Sequence, residues 1–236
     1  MGVATIARLV GSATRIVVVA GAGISVSAGL PDFRSPNGLY AALGATVADP
    51  AAVFHIDAFR EDPAPFFAAA ARLVAPESAV LPTATHAFFR ELDDSDGSGG
   101  ASDGDAVGVM KPDIVLFGEP LPPAVATCVA ADVRPGAADL VLVVGTSLAV
   151  APVSTLPARF PAGVPRVLLN RTPVVPPGGA FDYVALGDCD AIVGALRREL
   201  GARCWVIGRN GMAGGWGWGH GDVWRAGSIA VPDGVR

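Results

Sequence analysis

The chain is poor in charge, poor in cysteine and free of long apolar runs. Charged residues fill 17% of its 236 positions and the net charge is −5. That sparse, acidic balance argues against a bulk affinity for nucleic acid, whose phosphates call for a basic face. Only three cysteines occur, Cys128, Cys189 and Cys204, far apart and with no C-x-x-C pair. An odd count at such spacing builds neither a disulfide framework nor a zinc ribbon, and reduced thiols are expected. No apolar stretch reaches the roughly eighteen residues that a membrane helix needs, so a soluble protein without a membrane partner is expected. Near the N-terminus, Arg8 and Arg15 flank a short apolar segment that has no cleavage site. A signal peptide is therefore not expected, and the reading is intracellular: cytoplasm, nucleus or mitochondrion.

What the chain has is apolar mass, 51% hydrophobic residues with 30 glycines and 20 prolines. Continuous apolar runs suit a parallel sheet covered on both faces. Such runs stand at Ile16–Ala20, Asp113–Phe117, Leu140–Val144 and Arg166–Leu169, with a weaker one at Tyr183–Leu186. Helical patterns cover 3–10, Ala51–Arg60, Pro65–Val74, Thr85–Leu92 and Asp190–Leu200. Strands alternating with helices predict an α/β fold, a doubly wound Rossmann-like parallel sheet over residues 1–205. Residues 93–109, acidic and rich in Gly and Ser, read as a linker interrupting that domain. The Gly/Trp-rich tail, 206–236, carries no core period and reads as disordered.

The most informative stretch follows the first strand: GAGISVSAGLPDFRS at 21–35. A strand breaking into Gly-x-Gly at its carboxyl end is where α/β folds place a nucleotide. Glycine permits the tight turn and lets backbone N–H groups approach a pyrophosphate. Asp32, Phe33 and Arg34 then set an acid, a ring and a guanidinium side by side, chemistry suited to a ribose or a ring. Taken singly, Asp32 and Arg34 also fit a surface ion pair, Gly145-Thr146-Ser147 a strand-to-helix turn, and Cys189 a buried structural thiol.

Five blocks in order give these residues a common meaning. GAGISVSAGLPDFRSPNGLY at 21–40, KPDIVLFGEPLP at 111–122, VVGTSLAVAPVSTL at 143–156, VLLNR at 167–171 and LGDCD at 186–190 resemble the sirtuins. These are NAD-dependent protein-lysine deacylases, and the likeness is greatest to the branch holding the cytosolic and mitochondrial deacetylases. The resemblance implies NAD as cofactor and an acylated-lysine protein or peptide as partner. It places Gly21, Ala22 and Gly23 against the NAD phosphates, with Ile24, Ser25 and Val26 completing the turn. Asp32, Phe33 and Arg34 would cover nicotinamide and its ribose, Phe33 shielding the reactive sugar carbon from water. Gly145, Thr146, Ser147 and Val150 resemble a second phosphate and ribose contact. Asn170 and Arg171 match the hold on the adenosine ribose, and Cys189 a contact near adenine. The family's acid beside them is Thr172 here. Val115, Leu116, Phe117, Gly118 and Glu119 would offer an edge to which the peptide adds as a strand.

The same resemblance shows a gap. In the family, the helix resembling Thr85–Leu92 leads into a strand with a Thr-Gln-Asn-Ile-Asp motif, then a His-Gly motif and four zinc cysteines. Here Leu92 passes through the acidic segment to Met110 and Lys111. One central strand, the small zinc-binding domain with every zinc ligand, and the catalytic histidine are thus expected to be absent. That histidine serves as general base on a ribose hydroxyl, assistance worth about 10² to 10⁴ in rate. His86 and His55 read as structural, and His220 lies in the tail, so no residue takes the catalytic role. Sirtuin-type deacylation, impaired or lost in this polypeptide, is the expectation. A non-catalytic NAD- or peptide-binding module and an incomplete translation of a full enzyme stand beside it. Re-pairing of Ile16–Ala20 with 113–117 would close the sheet over the lost strand.

Overall fold

A computed structural model describes residues 2–73, 81–92 and 114–201. The expected linker at 93–109, Asp113 and the 206–236 tail lie outside these residues. The chain opens with α1 (Val3–Ser12), β1 (Ile16–Ala20) and a 3-10 helix at Ala22–Ala28. Short helices α2 (Leu39–Leu43), α3 (Ile56–Glu61) and α4 (Ala64–Ala70) follow, then α5 (Ala84–Leu92) and α6 (Pro123–Asp132). The second half runs β2 (Leu140–Val144), α7 (Leu156–Arg159), β3 (Arg166–Asn170), β4 (Tyr183–Leu186) and α8 (Cys189–Leu200).

The four strands form one parallel sheet in the order β1-β2-β3-β4. Val18 aligns with Leu142, Leu142 with Val167, and Leu168 with Val184. Alternate residues face opposite sides, and both sides are covered. Val18, Leu142, Val144, Val167 and Leu169 pack under α1, α5 and α8 through Ile6, Val10, Phe88, Val193 and Leu196. Val19, Val141, Val143 and Leu168 pack under α6 and α7 through Val129 and Leu156, joined by Phe160. Double coverage is why the strands read as unbroken apolar runs. At the β4 edge the pattern reverts to alternation, with Val184 and Leu186 exposed. This is an α/β, Rossmann-like core. Among the described residues no helix is long and apolar enough to cross a membrane.

At the amino end of the sheet Asp139 ties two strand entries together. Its carboxylate accepts the Thr14 and Arg15 N–H groups, each at 2.9 Å, and the Thr14 hydroxyl at 2.6 Å. Burial alone would raise the carboxyl's pKa, and these hydrogen bonds reverse the sign and lower it.

A third cluster lies beside the sheet. Phe33, Phe54, Phe59 and Phe66 meet edge to face, with Phe33–Tyr40 and Phe33–Phe54 centroids at 5.5 and 5.6 Å. The helix expected at Ala51–Arg60 is broken at His55. Its backbone is extended, and its ring Nδ1 accepts the Asp57 N–H to start α3.

The strand expected at Asp113–Phe117 is corrected: residues 114–117 form no ladder with the sheet. Phe117 donates its N–H to the Phe54 carbonyl at 2.9 Å and accepts the Ile56 N–H at 2.8 Å. A single parallel bridge to His55 results. Buried Leu116 anchors the segment in the aromatic cluster. The expected pairing with Ile16–Ala20 is likewise not formed, and β1 pairs with β2 alone among the described strands.

Candidate functional site

The carboxyl ends of all four strands open into one cleft of about 730 Å³, within the roughly 300–1,000 Å³ usual for small-molecule sites. The first wall is the turn after β1. Gly21 donates its N–H to the Val144 carbonyl at 3.0 Å, and Gly23 donates to the Gly145 carbonyl at 2.9 Å. A Cβ at Gly23 would stand 2.6 Å from the Gly145 oxygen, and one at Gly21 2.6 Å from the Thr146 Cβ. Gly145 in turn adopts φ +60°, a left-handed value that disfavours a side chain. The bare Cα atoms thus also serve the close fit of two turns, the one after β1 against the one after β2.

Of the residues predicted from the sequence, the cleft gathers Gly23, Val26, Asp32, Arg34, Gly145, Thr146, Ser147, Asn170, Arg171 and Cys189. Gly21, Ala22, Ile24, Ser25, Phe33 and Val150 do not line it. Ile24 and Phe33 are buried in core clusters instead. The Phe33 ring, expected over a sugar, is held by the edges of Tyr40 and Phe54. The 115–119 segment also lies away from the cleft. Leu116 donates its N–H to the Glu119 carboxylate at 2.7 Å, and Phe117 is bonded to Phe54 and Ile56. Gly118, at φ +85°, lies against the His55 ring, where a Cβ would meet Cε1 at 2.7 Å. The peptide groups of Phe117, expected to receive an added strand, are therefore taken by the chain itself.

The loop after the first turn is fixed by its own acid. Asp32 Oδ1 accepts the Ser35 N–H at 2.9 Å, and its carbonyl accepts the Leu39 N–H at 2.7 Å. Arg34 has its guanidinium over the Tyr40 ring at 6.0 Å and no carboxylate partner among the described residues. The Asp32–Arg34 ion pair is thus not formed, and a cation is left facing the cleft.

At the far end, Asn170 Nδ2 donates to the Thr172 carbonyl at 2.9 Å and shapes the turn after β3. Arg171 donates to Asp188 from Nε at 3.0 Å and from Nη2 at 2.5 Å. This carboxylate raises the guanidinium's pKa further. Cys189 is buried, and burial, with Asp190 and Asp188 adding, pushes its thiol up to about 11. A thiol so protonated is no nucleophile. Asp190 accepts the Ser27 hydroxyl at 2.5 Å, and its other oxygen takes the Thr85 N–H and hydroxyl at 2.9 and 2.6 Å. Burial opposes its ionisation, but the Ser27 and Thr85 bonds prevail and lower its pKa.

Sequence reading missed Ser27, Ser35, Pro36, Asp188, Asp190 and Ala191, all in the cleft wall beside Thr172, which stands at the position of the family's acid. Asp188 and Asp190 flank Cys189 within LGDCD, at the start of a helix on the carboxyl edge. That placement was the available signal. The cleft therefore offers cations for phosphates and carboxylates for hydroxyls, and no histidine among its described lining residues. His86 stands behind it, Nδ1 2.7 Å from the Thr83 hydroxyl, which also lies 2.9 Å from the Ile24 carbonyl. Among the described residues no group of three or more His, Cys, Asp or Glu is placed to hold a metal ion.

The sequence profile of the Sir2 family matches residues 21–100 and 100–152, two pieces that meet at residue 100. The rat "NAD-dependent protein deacetylase sirtuin-1" is 33% identical over 254 positions, covering 82% of this chain and 44% of the rat protein. From Emericella nidulans, "NAD-dependent protein deacetylase hst2-1" is 38% identical over 79% of this chain and 66% of its own length. The same organism's hst2-2 is 36% identical, over 81% and 69%. The chain spans 33–44% of the mammalian relatives' length. In the rat alignment, 82% of 236 residues is about 194 of 254 positions, so about sixty positions face no residue of this chain.

Proposed function

The chain belongs to the Sir2 family, and on that premise we propose that it binds NAD in the carboxyl-edge cleft and carries out NAD-dependent lysine deacylation feebly or not at all. One observation supports this reading: the cleft gathers arginines and carboxylates that suit a nucleotide and, among the described residues, no histidine. Arg34, without a carboxylate partner among the described residues, and the paired turns at Gly23 and Gly145 suit a pyrophosphate. Asp32 and Asp188 suit ribose hydroxyls. The residues present fit NAD in volume and in charge. Bound NAD would supply the ribose carbon that accepts an acyl oxygen. What this chain's residues contribute is binding and orientation, since the described residues of the cleft hold no histidine to act as general base and burial holds the Cys189 thiol protonated. The acylated-lysine partner belongs to this proposal through the relatives' printed activity. Zinc does not, because three cysteines cannot furnish the family's four ligands.

Calorimetric titration with NAD tests the first half. Saturable heat is expected, weakened by Asp32→Ala or Arg34→Ala, and no heat removes the NAD reading. Incubation of concentrated protein with NAD and an acetylated peptide tests the second half. Nicotinamide at background is expected, and sustained release overturns the impaired reading.

The two-piece profile match and the sixty unmatched positions favour a second reading, a transcript lacking part of a full enzyme. Sequencing the transcript and genomic DNA across 93–110 decides it. An intervening open frame encoding His-Gly and paired cysteines would establish it, and contiguous coding DNA would remove it.

A further inference from the structure

One ion pair in the cleft is unexplained by the needs of the fold. Asp188 is the N-cap of α8, where an aspartate ordinarily accepts an N–H from the first helical turn. Its side chain makes no such bond. Instead Oδ1 receives both Nε and Nη2 of Arg171. The two side chains are 65% and 61% exposed, and a pair so open to water adds little to stability. The carboxylate has therefore left a capping bond for one of small structural value, at a place where both groups line the cleft.

Position on the sheet suggests why. Arg34 belongs to the loop after β1, whereas Arg171 and Asp188 follow β3 and β4. At about 4.8 Å per strand, these ends are roughly 10–15 Å apart. A dinucleotide with its phosphates at the first two turns would bring a ribose to the β3–β4 end. There Asp188 Oδ2 has no partner among the described residues, and it can only accept. A vicinal diol supplies donors to it. A phosphate ester on the same sugar would meet its negative charge instead.

We propose that Asp188 makes this cleft select a nucleotide with a free ribose diol, NAD, over the 2′-phosphorylated NADP, by presenting its own carboxylate and neutralising Arg171. The inference rests on the NAD reading above and goes beyond it by naming the selecting group. Remove the charge at 188, and Arg171 loses its hydrogen-bonded carboxylate and keeps only the weaker attraction of Asp32, an arrangement more open to a 2′-phosphate.

The test is calorimetry of the full chain with NAD and with NADP. It compares the unmodified protein, Asp188→Asn, Arg171→Ala and the double variant. Asparagine keeps the size and capping ability of aspartate, so the helix start is preserved. The unmodified chain should favour NAD by about tenfold or more, and Asp188→Asn should narrow that ratio by about tenfold, chiefly through tighter NADP binding. Adding Arg171→Ala should remove the gain in NADP affinity. Arg171→Ala alone should keep or widen the NAD preference, because the carboxylate remains. NAD binding with a ratio moved less than about twofold by Asp188→Asn overturns the proposal. So does loss of the preference in Arg171→Ala alone. An unmodified chain that binds neither nucleotide sinks the NAD reading itself, and that outcome is distinct from the other two.

Discussion

Gly23 and Gly29 follow the same strand yet are glycines for different reasons, which a single methyl group separates. At Gly23 the constraint is a collision, since a Cβ would stand 2.6 Å from the Gly145 oxygen, a backbone atom that cannot swing aside. Gly23→Ala should therefore cost about 1–3 kcal/mol of stability, as overpacking does, and weaken NAD binding by parting the two turns. At Gly29 there is open space, and only its φ of +87° resists a side chain. Gly29→Ala should cost about 1–2 kcal/mol and leave NAD affinity intact. Urea denaturation with parallel calorimetry checks both, and equal loss of affinity in the two variants would contradict the distinction. His86 makes a residue-scale prediction in pH. Burial lowers its pKa from 6.5, with Asp190 partly opposing. The unfolded chain then takes up a proton before the folded one, so the contribution is complete above 6.5 and is lost as pH falls toward the lowered value. Melting temperature should drop between about pH 7.5 and about pH 5.5, and His86→Gln should flatten that slope. A slope unchanged in His86→Gln would refute the assignment.

Among the elements, Asp190 is the joint where three meet. It receives Ser27 from the 3-10 turn and Thr85 from α5, while itself standing in the first turn of α8. Asp190→Ala strips partners from two hydroxyls and one N–H and should cost about 1–3 kcal/mol. Guanidinium unfolding measures it, and a loss below about 0.5 kcal/mol would mean that water replaces the carboxylate freely. Elements were legible in the sequence where local pattern and final environment agreed. The strands β1, β2 and β3 are apolar runs ended by turn residues, and both their faces are covered. The 114–117 stretch carries the same apolar signature, but Phe117 spends its backbone groups on Phe54 and Ile56, a contact about sixty residues distant that no local pattern announces. The helix α6 was invisible for the opposite reason: its apolar residues are spread around the axis, and Val129 alone is buried. In the site, ordered motifs pointed to Gly23, Arg34, Gly145 and Asn170. Phe33 was drawn into an aromatic core by Tyr40 and Phe54. Asp188 was overshadowed by the cysteine beside it, because its role depends on Arg171, a partner from a different strand end.

Across the whole molecule the two ends of the sheet have separate duties. The amino end is held by Asp139, which gathers Thr14 and Arg15 so that β1 and β2 enter in register. The carboxyl end has the opposite character: among the described residues Arg34 has no carboxylate partner and the Asp188 carboxylate is half used. Stability and binding should therefore come apart under mutation. Asp139→Ala leaves two N–H groups and a hydroxyl unpaired and should cost about 1–3 kcal/mol. No atom of Asp139 lines the cleft, so NAD affinity should stay within about twofold. Arg34→Ala should do the reverse, changing unfolding in buffer by under about 0.5 kcal/mol while weakening NAD. Linkage makes the contrast measurable in one assay. A nucleotide at a hundred times its Kd raises unfolding free energy by about 2.7 kcal/mol, provided that it binds the folded state alone. Asp139→Ala should show that full increment on a lowered baseline, and Arg34→Ala a diminished increment on an unchanged one. Thermal melts with and without NAD read both quantities. An increment lost in Asp139→Ala as well would mean that the two ends are coupled through β1 and β2, against the division of duties drawn from their hydrogen bonds.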